Sequence, residues 1–221
     1  MTLPTNPFDR GDAEAVEYDA WYDSAGGSAV LSAELRCVRD LLAGAVHPWL
    51  DLGTGTGRFG GDLRADVGVD PAEAMLRLAA HRLPAAVRAV SEALPFRTES
   101  LGAVLAVAAI EFFTSPGAAF AEVARVLRPG GRFVAGFFPA SGPWAKAYVA
   151  AGRDPTSVFH GARFFAVEEL AGMAAQAGLR AGAARSALFE PPEASPSGHV
   201  TETADDTAGF VAMTFTKLAG T

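Results

Sequence analysis

The sequence has little from which a metal centre or a disulfide could be built. It holds one cysteine, Cys37, so no disulfide can close within the chain and no cysteine cage for zinc can form. Its four histidines, His47, His81, His160 and His199, lie far apart, so no pair with metal-ligand spacing occurs and no metal is expected. Long apolar runs are also missing. The longest, Ala103 to Ile110, falls far short of the roughly 20 residues a membrane helix needs. The start, Met1 to Pro7, has neither a basic cluster nor an apolar stretch and does not read as a secretory leader. Cations are scarce: 18 Lys and Arg against 25 Asp and Glu give a formal net charge of -7. Binding to nucleic acid or to an anionic membrane needs clustered cations, so neither partner is expected. A neutral or positively charged small molecule stays open as partner. The expected state is a soluble cytoplasmic protein, monomeric or homodimeric.

What is present is enough for one buried core. Half of the 221 residues are hydrophobic, which suits a single large α/β domain. The first 27 residues read as polar and irregular, carrying the aromatics Phe8, Tyr18, Trp21 and Tyr22. Ser28 to Leu42 has Val30, Leu31, Leu35, Val38 and Leu42 at helical spacing. Strands are predicted at 49–52, 67–70, 87–90, 101–110 and 132–138. Helices are predicted from Pro71 to about Arg82, where proline suits the first turn, and from Pro116 to Leu127. Strand and helix in alternation imply a parallel sheet with right-handed crossovers. The tail departs from this rhythm, with helices near 144–151 and 167–177 and strands near 183–189 and 209–217. Two strands joined without a helix must pair antiparallel. The sheet should therefore be seven-stranded, doubly wound and mostly parallel, with an antiparallel last strand. Within it, residues 1–45 would form a lid and helix, 46–138 a ligand-binding core, and 139–221 a connection and final strands.

The sharpest motif is Asp51-Leu52-Gly53-Thr54-Gly55-Thr56-Gly57, a glycine loop closing a strand. Glycine turns tightly and lets a ligand approach the backbone. Asp70 ends the second strand, where a carboxylate can accept the hydroxyl hydrogens of a ribose. The same stretch satisfies G-x-G-x-x-G at Gly55, Gly57 and Gly60, so a nicotinamide-dependent oxidoreductase is a rival reading. Asp51 argues against it, because a carboxylate repels a pyrophosphate and attracts a cationic amino acid.

Four stretches, in order and spacing, resemble class I S-adenosylmethionine-dependent methyltransferases of the ubiquinone-biosynthesis-like (type 11) subgroup. They are residues 49–57, Asp70-Pro71-Ala72-Glu73-Ala74-Met75, Glu92-Ala93-Leu94-Pro95-Phe96, and Leu127-Arg128-Pro129-Gly130-Gly131. Ala162-Arg163-Phe164-Phe165, then Glu168-Glu169-Leu170 and Ala177-Gly178-Leu179, resemble the end of some prokaryotic members. The resemblance implies S-adenosylmethionine as cofactor, S-adenosylhomocysteine as product, and in-line displacement onto a small acceptor. It implies that Asp51, Gly53, Thr54 and Gly55 line the methionine end and that Asp70 and Pro71 serve the ribose. Met75, Ser91 and Glu92 would serve the adenine, while Tyr18 and Tyr22 would cover the cofactor. The sequence departs from the pattern at Val90, where the family has an aspartate, and at Leu101-Gly102. A non-catalytic cofactor-binding module of the same fold is a further alternative.

The remaining candidates lie where ligands bind in such sheets, beyond the carboxyl ends of the strands. Glu111 reads as a contact to substrate or a proton acceptor, and equally as a helix-capping or solvated carboxylate. His160 could act as a base near neutral pH. Arg163 could meet an acidic substrate or pair with Glu168 or Glu169. Trp144, Tyr148 and Phe159 could form an apolar acceptor pocket, or simply pack the added helix.

Overall fold

The structure, a computed structural model, describes residues 7–218. Residues 1–6, on which the expectation about a leader rests, lie outside the described residues. Seven strands form one sheet: β1 Trp49–Leu52, β2 Val67–Asp70, β3 Ala86–Arg88, β4 Leu101–Val107, β5 Leu127–Phe137, β6 Leu179–Ala187 and β7 Phe210–Lys217. Their order is β3-β2-β1-β4-β5-β7-β6. Every pairing is parallel except those of β7, which runs antiparallel to both β5 and β6. The helices are α1 Asp12–Trp21, α2 Ala25–Leu42, α3 Arg58–Leu63, α4 Glu73–Ala79, α5 Pro116–Val126, α6 Pro143–Ala151 and α7 Val167–Gln176. None of them is long and apolar enough to cross a membrane.

The period of two along β4 explains the two core layers. Val104 and Ala106 face α5 and α7, where they meet Phe120, Val123 and Leu170. Ala103, Leu105 and Val107 face the other way, toward Val30, Leu35 and Val38 of α2 and Phe59 of α3. Burial on both faces is why β4 reads as a continuous apolar run. The strand ends at Val107, short of the predicted Ile110, because Ala108 takes a left-handed φ of 51° and Ile110–Phe112 turns into a 3-10 helix.

Three other expectations shift. The segment before residue 28 is largely helical: α1 occupies 12–21, and α2 starts at Ala25 with Ser24 Oγ accepting from the Gly27 N–H at 3.0 Å. Pro71 precedes its helix instead of opening it. Asp70 Oδ1 accepts from the Ala72 N–H at 2.8 Å, which holds 70–72 extended and delays α4 to Glu73. β3 ends at Arg88 rather than Val90, while β5 and β6 begin four or five residues earlier than expected. In β5 the early start reflects a register shift that lets Leu127 pair with Leu101 ahead of the Pro-Gly-Gly bend.

Candidate functional site

β1 lies between β2 and β4, so successive crossovers from it leave in opposite directions across the sheet. Such a switch point opens a crevice at the carboxyl ends of the strands. The glycine loop sits there. Gly53, Gly55 and Gly57 have φ of 72°, 53° and 83°, a left-handed run that side chains resist. A Cβ on Gly53 would meet the Ala109 Cβ at 2.5 Å, so the loop packs directly on the segment following β4. A Cβ on Gly55 would instead have no atom within 4 Å, which leaves open space over the loop.

Two buried carboxylates hold the loop in shape. Asp51 Oδ2 accepts from the Thr54 hydroxyl at 2.6 Å and from the Gly60 N–H at 3.0 Å. Asp70 Oδ2 accepts from the Gly55 N–H at 2.9 Å, beside the Ala72 contact on its other oxygen. Burial pushes both carboxyls up to about 6, against the pull of these hydrogen bonds. Asp51 therefore braces the loop from beneath. Asp70, with Pro71 half-buried behind it, stands at the strand end beside the open space over Gly55. Beyond β3, the buried Ser91 donates to Glu92 Oε2 at 3.0 Å, and Glu92 Oε1 accepts from the Ser115 N–H at 2.8 Å. Met75 is buried beside Ala72 and Ala15, under α1. Open space at Gly55, beside the Asp70 carboxylate, suits a ligand carrying a ribose.

A second feature adjoins this crevice. A cavity of about 490 Å³ lies between α1, α2, α6 and the Ala108–Phe112 segment. Aromatic rings form much of its wall. Tyr148 stacks on Phe159 at 3.9 Å, and Trp144 stands edge-on to Tyr148 at 6.0 Å. The Trp144 Nε1 donates to the Glu190 carbonyl at 2.9 Å, tying down the long loop before β7. On the opposite side, the Tyr18 and Tyr22 hydroxyls lie 3.1 Å apart.

Two carboxyl groups enter this aromatic wall. Glu111 is 2% exposed, which excludes the solvated reading. Its Oε1 accepts from the Phe138 N–H at 2.8 Å, while its Oε2 is buried without a hydrogen-bond partner. Burial pushes this carboxyl up to about 7. Glu34, also 2% exposed, lines the cavity from α2. Burial, reinforced by the charge of Glu111, pushes it up to about 8.

The structure thus brings Tyr18, Tyr22, Glu111, Trp144 and Tyr148 to one cavity. It gathers Asp51, Gly53, Thr54, Gly55 and Asp70 at the neighbouring loop. It does not bring His160 or Arg163 to the cavity wall. His160 is exposed and its Nδ1 meets the Gly152 carbonyl at 3.0 Å. Arg163 is exposed with its guanidinium over the Phe165 ring at 5.3 Å, and only its backbone N–H reaches inward, to the Glu111 carbonyl at 2.8 Å. The expected pairing with Glu169 gives way because that carboxylate caps α7, accepting from the Ala166 N–H at 2.8 Å. Glu34 was missed. Its signal was available, since it falls on the apolar stripe of α2 one turn from Val30, Leu31 and Val38.

The antiparallel β7, inserted between β5 and β6, departs from the 3-2-1-4-5-6 sheet of dinucleotide enzymes and removes the nicotinamide reading. Residues 50–135 match the family model of a methyltransferase domain. An uncharacterised protein of Mycobacterium tuberculosis is 38% identical over 179 residues, covering 81% of this chain and 63% of that protein. The chain thus spans under two thirds of the length of this relative. A malonyl-[acyl-carrier protein] O-methyltransferase of Methylococcus capsulatus is 37% identical over 137 residues, covering 54% of this chain and 46% of that one. A crystal structure from Thermotoga maritima, described as an S-adenosylmethionine-dependent methyltransferase and possible histamine N-methyltransferase, superposes with a TM-score of 0.84 at 29% identity. It covers 93% of this chain and 97% of that one. Residues 50–135 thus form a methyltransferase domain, and with the glycine loop, Asp70 and the β7 insertion in the same sheet the chain is similar to the class I S-adenosylmethionine-dependent methyltransferases.

Proposed function

We propose that the protein transfers the methyl group of S-adenosylmethionine to a small-molecule acceptor held in the aromatic cavity. One contact carries the reading: Gly53 packs on Ala109, so the glycine loop touches the segment whose Ala108, Glu111 and Phe112 wall the cavity. A cofactor over Gly55 and an acceptor in the cavity would then meet across that segment. Asp70 would hold the ribose hydroxyls, Met75, Ser91 and Glu92 the adenine side, and Gly53, Thr54 and Gly55 the methionine end above Asp51. Tyr18 and Tyr22 would close the N-terminal side. When bound, the cofactor would supply an electrophilic methyl group on a sulfonium whose leaving form is a neutral thioether. No acid is needed for that leaving group, so the protein's work is positioning and the exclusion of water. Enclosure by Trp144, Tyr148 and Phe138 would serve the second, and Glu111, which lines the same cavity, would take a proton from the acceptor.

Isothermal titration with S-adenosylmethionine and S-adenosylhomocysteine, with NAD as control, tests the reading. Micromolar binding of both adenosyl ligands, weakened about tenfold or more by Asp70→Ala, is the expected result, since charge-assisted hydrogen bonds are the stronger kind. Binding of NAD alone, or of none of the three, would overturn it. Binding without turnover on any acceptor would instead favour a cofactor-sensing module.

A further inference from the structure

The cavity combines two features that rarely share one space: an aromatic lining and two buried carboxyl groups. Glu34 and Glu111 reach it from different elements, α2 and the 3-10 helix after β4. Among the described residues, no lysine or arginine offsets either of them; the charge that acts on Glu34 is that of Glu111. A buried carboxylate without a counter-charge is costly, so such a pair is retained only where something repays it. Glu111 lines that space, and its Oε2 is buried and unpartnered. Among the described residues the wall therefore holds two carboxyl groups and no cationic side chain where a ligand would sit. The rings of Tyr148 and Phe159 add faces that attract a cation.

We infer that the acceptor is an amine on an aromatic or apolar body, taken up as its ammonium form between Glu34 and Glu111. This deepens, and rests on, the methyl-transfer reading above. The ammonium donates to the carboxyl groups of Glu111 and Glu34, and the body stacks among Tyr148, Phe159 and Trp144. A cavity of about 490 Å³ has room for a one- or two-ring amine. An ammonium has no lone pair, so its nitrogen becomes reactive only after it loses a proton. That proton passes to a carboxylate oxygen of the pair, leaving a neutral amine and a neutral carboxyl group. Glu34 is thus a specificity-determining residue, and Glu111 both binds the amine and is placed to take its proton.

The test uses four probes of similar shape: 2-phenylethylamine, tryptamine, the neutral 2-phenylethanol and the anionic phenylacetate. Each is titrated into the full chain at pH 7.5, with and without saturating S-adenosylhomocysteine, and Trp fluorescence gives a second readout. The amines are expected to bind at least tenfold more tightly than the alcohol, with phenylacetate weakest. Glu34→Gln and Glu111→Gln should each erase that preference by weakening the amines, with thermal melting reporting that both variants fold. Equal binding of amine and alcohol by the wild-type chain overturns the inference, and this arm needs no variant. So does a Glu34→Gln chain that keeps the full preference. The cofactor reading is judged separately: failure of S-adenosylhomocysteine to bind while the amine preference persists sinks methyl transfer but leaves amine recognition standing.

Discussion

Arg58 and Asp19 meet fork to fork, Nε on Oδ1 at 2.9 Å and Nη2 on Oδ2 at 2.8 Å. Arg58 opens α3 directly after the glycine loop, and Asp19 lies on α1, so this pair fastens the N-terminal helix to the loop it covers. Arg82 adds two further hydrogen bonds to the same carboxylate. Burial pushes Asp19 up, but the hydrogen bonds from Arg58, Arg82 and Thr56 outweigh it and hold the carboxyl well below its ordinary value. Asp19→Ala leaves two arginines short of a partner and should cost roughly 1.5 to 3 kcal/mol, the range for losing hydrogen bonds to a charged, part-buried group. Chemical denaturation measures the loss. Limited proteolysis should show cleavage moving into residues 12–24, and an unchanged pattern would mean α1 is held by its apolar contacts alone.

Gly53→Ala meets two obstacles at once: a φ of 72° and the Ala109 Cβ at 2.5 Å. The left-handed backbone alone costs about 1 to 2 kcal/mol, and the clash must move either the loop or the Ala108–Phe112 wall. Cofactor affinity should fall more than tenfold. Gly55→Ala, with the same left-handed backbone but open space around it, should be the milder change for folding. Equal stability losses in the two variants would show that the Ala109 contact does not matter.

Trp144→Phe keeps a ring against Phe138 and Tyr148 but removes the donor to the Glu190 carbonyl. A single neutral hydrogen bond is worth about 1 kcal/mol, so global stability should change little. The effect should concentrate in the 190–206 loop, read as faster amide exchange there. Exchange that rises equally across the sheet would contradict a local tether.

Stability should fall as pH rises from about 4.5 toward 8. Burial pushes up Glu34 (about 8), Glu111 (about 7), Asp51 (about 6) and Asp70 (about 6). A carboxyl raised on folding holds its proton more tightly in the native state. Its stabilisation is therefore complete below the unfolded value of about 4 and is lost as pH climbs through the folded value. Asp19, held low, acts with the opposite sign and matters only in acid. Tyr18, Tyr22 and Tyr148, which face Glu34, are pushed above their ordinary value by burial and stay neutral throughout. Melting temperatures should decline from pH 5 to pH 8, and Glu34→Gln should flatten the upper part of that decline. A flat profile in the wild-type chain would show that these carboxyls are not buried as described.

Most of the sheet was legible because each of its signals is local. A buried parallel strand such as Leu101–Val107 must be apolar on both faces, and a tight turn such as Gly53–Gly57 must be glycine-rich. Both requirements are written in neighbouring residues. The N-terminal helix was less so. Asp12–Trp21 has Ala15 as its only buried residue among largely exposed neighbours, and its anchor is an ion pair to residues 39 and 63 positions away. No pattern within ten residues reveals that. His160 and Arg163 misled for a related reason, because chain position near a site does not fix which way a side chain turns.

The strand-and-helix alternation, the glycine loop with Asp51 and Asp70, and the antiparallel end of the sheet are legible from the order of residues alone. These follow from periodicity, backbone sterics and connection length. That Glu34 joins Glu111, 77 positions away in the chain, inside an aromatic cavity emerges only from the folded packing. The burial of a carboxylate depends on what other elements pack around it. That packing, not the residue type, turns two ordinary glutamates into buried carboxyl groups without a counter-charge.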